Sequence, residues 1–125
     1  MNKVSGIILL VSDINISLEF YEKLNFQVQK RVPGVAITVA LDDFWIELLD
    51  KTQVVTESYK QQSNRSNLGN GLFIQMNVSD VDSFYRELIS KKVQVLEGPA
   101  DYPWGHRECI IRDPDGYIIC VYSKI

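Results

Sequence analysis

A few short stretches hold the side chains that could do chemistry. Glu47 stands in Trp45-Ile46-Glu47-Leu48-Leu49, a carboxylate set in an apolar run. A group so placed stays at a solvated sheet edge, pairs with Arg or Lys, or projects into a cavity. In a cavity it could bind a cationic ligand or, with its pKa raised by desolvation, act as a general base. Phe73-Ile74-Gln75-Met76-Asn77 interrupts an apolar strand with two amides. Period-2 alternation puts Phe73, Gln75 and Asn77 on one face, as it does Trp45, Glu47 and Leu49. If buried, the amides need partners, which a ligand or a neighbouring strand can supply. Trp104-Gly105-His106-Arg107 places an indole, an imidazole and a guanidinium in succession. Cys109 and Cys120 have no CxxC or metal-type spacing and read as buried, inert thiols. No Ser-His-Asp, Cys-His or phosphate-loop arrangement is present.

These side chains hang on a repeated frame. Val11-Ser12-Asp13-Ile14 leads to Phe20-Tyr21-Glu22-Lys23-Leu24, and Val78-Ser79-Asp80-Val81 leads to Phe84-Tyr85-Arg86-Glu87-Leu88. Each copy is an apolar run, a Ser-Asp pair able to cap a helix, and a helix-period stripe. Two copies point to a duplicated supersecondary unit, not a solenoid. In the first, Val4 to Val11 reads as a strand buried on both faces. A helix follows from Ile14 to Leu24, stopped at Asn25, then strands at Phe26 to Arg31, Val35 to Leu41 and Phe44 to Leu49. The second has a strand at Gly71 to Val78, a helix capped by Ser79, and strands at Val93 to Glu97, His106 to Arg112 and Tyr117 to Ser123. Gly98 to Gly105 reads as a loop, and Asp113-Pro114-Asp115-Gly116 as a hairpin turn. Lys51 to Asn70 reads as a long irregular connection, a linker or a lid. Tyr59 in it, with Tyr102, offers aromatic surface.

At 125 residues, 46% hydrophobic and 23% charged, the chain fits one domain, with a first module at 1–50, a connection at 51–70 and a second module at 71–125. A net charge of -3 gives no reason to expect nucleic acid or an anionic membrane as partner. With no spanning segment and no signal-peptide pattern, the expected location is cytoplasmic.

Two β-α-β-β-β modules, the repeated Val-Ser-Asp with Phe-Tyr, and a closing Trp-Gly and Asp-Pro-Asp-Gly hairpin resemble the vicinal oxygen chelate superfamily, the group of glyoxalase I, bleomycin resistance proteins and extradiol dioxygenases. The resemblance implies an α+β fold in which paired modules form curled mixed sheets around a cavity. It also implies a homodimer, with modules paired within one chain or exchanged between two. In metal-dependent members one ligand lies seven residues before the Asp opening each helix and another in the last strand of each module. Those positions fall on Gly6, Phe73, Glu47 and Cys120. A divalent site needs three or four converging ligands, so no metal and no other cofactor is expected.

A metal-free cavity implies small-molecule binding of the antibiotic-sequestering kind. The ligand-binding residues would be Trp45, Glu47, Phe73, Gln75, Trp104, His106 and Arg107. Trp45 serves as core or cavity wall, Trp104 as stacking platform or packing, and His106 and Arg107 as solvated strand or ligand contacts. The alternative is an enzyme, a lactoylglutathione-lyase-like or dioxygenase-like member, with Glu47 as catalytic base or metal ligand. A third reading is a regulatory module whose cavity its own side chains fill.

Overall fold

The Ser-Asp pairs do open helices, and both do so through the aspartate. Asp13 sits in extended backbone (φ -144°) and its carboxylate accepts from the amides of Asn15 and Ile16 at 3.0 and 3.2 Å. Asp80 repeats this at φ -145°, accepting from Asp82 and Ser83 at 3.0 and 3.3 Å. The cap of the second helix is thus Asp80, not the expected Ser79; the longer acidic side chain supplies an oxygen to two orphan amides. The computed structural model describes residues 1–125 and divides them into two compact units, 1–68 and 69–125.

In the first unit the chain runs β1 (Gly6–Val11), α1 (Ile14–Lys23), β2 (Gln27–Val32), β3 (Ala36–Leu41), β4 (Phe44–Asp50) and α2 (Glu57–Ser63). The sheet order is β1-β4-β3-β2, with β1 parallel to β4 and the other pairs antiparallel. Leu9, Val11, Val39, Ile46 and Leu48 turn to α1 and are fully buried, with Tyr21 and Leu24 opposite them. Each such side chain contributes roughly 1.5–3 kcal/mol of burial. The ring of Tyr21 meets Phe20 and Phe26 edge-on, at centroid distances of 5.0 and 5.5 Å. Asn25 takes a left-handed conformation (φ 73°), which ends the helix as expected.

Two expectations need correction here. β1 is not buried on both faces: it starts at Gly6, Ile8 is 45% exposed, and Val4 lies in solvent. β1 is an edge strand, and α1 covers only one side of the sheet. The connection is not irregular throughout either, because α2 forms within it. No residue of α2 is buried, so it has no apolar stripe for a sequence pattern to reveal.

The second unit repeats the order: β5 (Phe73–Asn77), α3 (Val81–Ser90), β6 (Val95–Tyr102), β7 (His106–Arg112) and β8 (Ile118–Lys124), arranged β5-β8-β7-β6 with β5 parallel to β8. Met76, Cys109, Ile111, Ile119 and Val121 pack beneath α3 with Val81 and Leu88. The stretch expected as a loop from Gly98 is strand as far as Tyr102. β6 carries register shifts on both sides of Glu97, and Pro99 falls within the second. On an edge strand the N–H that proline lacks costs no ladder bond. Asp113 accepts from the amides of Asp115 and Tyr117, both at 2.9 Å, and Gly116 takes φ 95°, as the turn chemistry requires. Both sheets are mixed and the class is α+β. No helix is long and apolar enough to cross a membrane.

Candidate functional site

Each sheet has one face covered by a helix and one that is not. On the uncovered face of the second unit, register brings His106, Glu108, Cys120 and Tyr122 together from β7 and β8, with Gln75 beside Cys120 on β5. Glu108 is the centre of this cluster. It is only 6% exposed, and its Oε2 accepts from Trp104 Nε1 at 2.7 Å and meets His106 Nδ1 at 3.1 Å. Burial alone would raise its pKa. Hydrogen bonds from Trp104, Cys120 and His106 outweigh that and hold the carboxyl below its ordinary range. A carboxylate only accepts, so Nδ1 carries the proton in this contact, and a neutral ring keeps Nε2 as an acceptor.

The turn after β6 aims the indole. Tyr102 O accepts from Gly105 N at 3.1 Å and Gly105 takes φ 87°, the left-handed region that suits glycine. Trp104 lies at the turn tip, stacked on Tyr102 at 4.7 Å with the planes 15° apart, while His106 stacks on Tyr122 at 4.3 Å and 18°. Trp104 nonetheless remains 61% exposed. Two ring pairs are thus fixed by one buried carboxylate, and one indole stays open to solvent.

The other candidates of this unit are placed less closely. Gln75 and Asn77 are exposed; Asn77 Nδ2 donates to Tyr122 O at 3.4 Å. Phe73 shares the face and is 67% exposed, but it pairs with Ile118 while His106 pairs with Lys124. Six residues of β8 separate those rows, about 20 Å at the rise of a strand. Arg107 points to the opposite, helix-covered face. Its guanidinium donates to Asp82 at 2.9 and 3.0 Å and to Asp101 at 3.0 Å, which lowers the pKa of Asp82 and raises its own. It stands apart from the cluster and is already paired.

On the uncovered face of the first unit, Trp45 and Glu47 stand two residues apart on β4. Gly6 and Ile8 flank them on β1, and Ala40 and Thr38 on β3. Trp45 is 37% exposed. Glu47 is half-buried, and its carboxylate has no hydrogen bond or ion pair within the chain.

The donor set at the four positions implied by the family does not fit a metal. A Cβ at Gly6 would collide with the backbone carbonyl of Trp45, so no ligating side chain fits there without moving a strand. Phe73 offers only a ring. Burial and the neighbouring Glu108 push the Cys120 thiol up to about 12, which keeps the proton a metal would have to displace. Cys109, pushed up to about 11 by burial, is likewise a protonated core thiol.

Glu108 is the residue that sequence reasoning missed. The signal was available: alternation along His106 to Ile111 puts Glu108 on the face of His106 and Ile110, away from Cys109 and Ile111. What the pattern lacked was the turn that folds Trp104 back onto it.

The family model described as Glyoxalase/Bleomycin resistance protein/Dioxygenase superfamily matches residues 3–121. No curated protein matches the chain significantly. Among solved structures, a glyoxalase/bleomycin resistance protein/dioxygenase from Nocardioides aligns at a TM-score of 0.85 and 21% identity, covering 100% of this chain and 85% of that one. TnmS3, an antibiotic binding protein from Streptomyces sp. CB03234, aligns at 0.76 and 26% identity, over 100% and 98% of the two chains. A superfamily member from Sphaerobacter thermophilus DSM 20745 aligns at 0.75 and 23%, over 99% and 98%.

Proposed function

Because the chain belongs to the glyoxalase/bleomycin resistance protein/dioxygenase superfamily, we propose that it binds a flat, largely apolar small molecule, without a metal ion and without turning it over. The observation that carries this reading is the exposed indole of Trp104, held in place by the buried Glu108. A ring fixed before binding loses little side-chain entropy when a planar ligand stacks on it. His106 Nε2 and the Gln75 amide supply the few polar contacts that orient such a ligand. The antibiotic binding described for the similar TnmS3 supports the same reading, and so does the poor fit of the donor set to a metal.

Titration of tryptophan fluorescence with a panel of planar aromatic antibiotics and dyes tests it. At least one compound is expected to bind saturably, and Trp104→Ala should weaken it about tenfold, the scale of one lost stacking contact. Absence of saturable binding across the panel, or product formation from the bound compound, overturns the reading. So does a stoichiometric metal in protein purified without chelator that disappears in Glu47→Ala. A ligand at a hundredfold over its dissociation constant stabilises the native state by about 2.7 kcal/mol, so metal addition also reads out as a melting shift.

One observation favours a second reading. Glu47 is a half-buried carboxylate without a protein partner, as a general base for a substrate with an acidic C–H would be. Turnover of such a substrate, abolished by Glu47→Gln with the fold intact, distinguishes it from binding alone.

A further inference from the structure

A cleft of about 630 Å³ opens within the first unit, between the exit of β4 and the C-terminal half of α2 with the turn that follows it. Three of its lining side chains are cations: Lys51 and Lys60 from its two walls and Arg65 from the turn beyond α2. None of the three makes an ion pair or side-chain hydrogen bond within the chain. No carboxylate lines the cleft. The chain as a whole is acidic, with 16 Asp and Glu against 13 Lys and Arg, so this concentration of positive charge runs against the composition. One cation is enough to complement the C-terminal carbonyls of a seven-residue helix, and Lys60 in its last turn does that. Lys51 and Arg65 have no such duty.

The nearest carboxylate in sequence is committed elsewhere. Asp50 Oδ1 accepts from Thr52 N at 2.8 Å and Thr52 Oγ1 at 2.7 Å. Ser63 Oγ likewise donates to Lys60 O at 2.8 Å. These bonds use the hydroxyl protons of Thr52 and Ser63 to shape the walls. The ammonium groups, the guanidinium fork, the Asn64 amide and the Ser66 hydroxyl remain as donors. Val54 is the one apolar side chain in the lining, and no aromatic ring is present.

We propose that this cleft binds a small, multiply charged oxyanion, a phosphate- or carboxylate-bearing molecule with no aromatic part. Three unpaired cations repel one another, and an anion of two or more charges removes that repulsion while satisfying the guanidinium fork. The site shares no residue with the aromatic cluster, so either proposal can fail alone.

The test is titration of the full chain with pyrophosphate and, separately, citrate, followed by amide chemical shifts at constant ionic strength. Saturable shifts confined to residues 51–66, with a dissociation constant below roughly 1 mM, are the expected result. The double variant Lys51→Gln with Arg65→Gln, which leaves Lys60 at the end of α2, should weaken binding at least tenfold at an unchanged melting temperature, neither side chain being paired within the chain. Saturation by one probe alone supports the site and identifies the anion. Shifts no larger than those from added sodium chloride, shifts spread over the chain, or unchanged affinity in the double variant overturn the proposal.

Discussion

Two donors meet on the Glu108 carboxylate, from Trp104 and His106. Removing the acceptor takes a partner from two part-buried donors and empties a buried site between them. Glu108→Ala is therefore expected to lower stability by about 2–4 kcal/mol in urea denaturation. It should also free Trp104, so affinity for a planar ligand falls even at temperatures where the variant is folded. The pH dependence follows from the direction of the shift. The folded carboxyl lies below its unfolded value of about 4.3, so its contribution is complete above that pH and is lost as pH falls through the folded value. Asp82, lowered by Arg107, adds acid loss of the same sign. Glu108→Gln should remove one part of the acid destabilisation and keep the other, as urea midpoints from pH 3 to 6 will show. The two thiols have the opposite shift. At pH 8 iodoacetamide should leave Cys109 and Cys120 largely unmodified in native protein and alkylate both in 8 M urea at rates several orders faster (about 10²–10³-fold).

At the scale of elements, the repeated caps carry the fold's most legible information. Asp13→Ala and Asp80→Ala should each cost about 1 kcal/mol in chemical denaturation, the usual value of an N-cap side chain. The sequence announced these helix starts because a Ser-Asp pair and an apolar stripe coincide within one short window. Asn25 at φ 73° stands after α1 as Lys92 at φ 61° stands after α3. Elements without an apolar pattern were illegible. α2 is polar on every side, and β6 runs on past Gly98-Pro99 because β7 holds it there, which no local pattern reports. The same division holds for the candidate site. Trp104, His106, Trp45 and Glu47 could be singled out by residue type and alternation. Glu108 could not be distinguished from a solvated strand residue until the Tyr102-to-Gly105 turn placed an indole over it. Arg107, adjacent to His106 in sequence, went to the other face for the plain reason that a strand alternates.

At the scale of the whole molecule, the chain is two units built on one plan, each with its own capped helix and its own sheet. The two caps share no hydrogen-bond partner. Their effects should then add: the Asp13→Ala, Asp80→Ala double variant is expected to lose the sum of the single losses to within about 0.5 kcal/mol. A larger discrepancy would mean that the units are coupled through the helices. The parallel pairing of first strand with last has a further consequence, for synthesis on the ribosome. Gly6 pairs with Trp45 and Phe73 with Ile118, so each opening strand meets its partner only after about 40 more residues have been made. At roughly 5–20 residues per second, β1 emerges some seconds before β4 does. During that interval Ile7 to Leu10 has no ladder to join, and the nascent chain presents an unpaired apolar edge that chaperones would be expected to occupy.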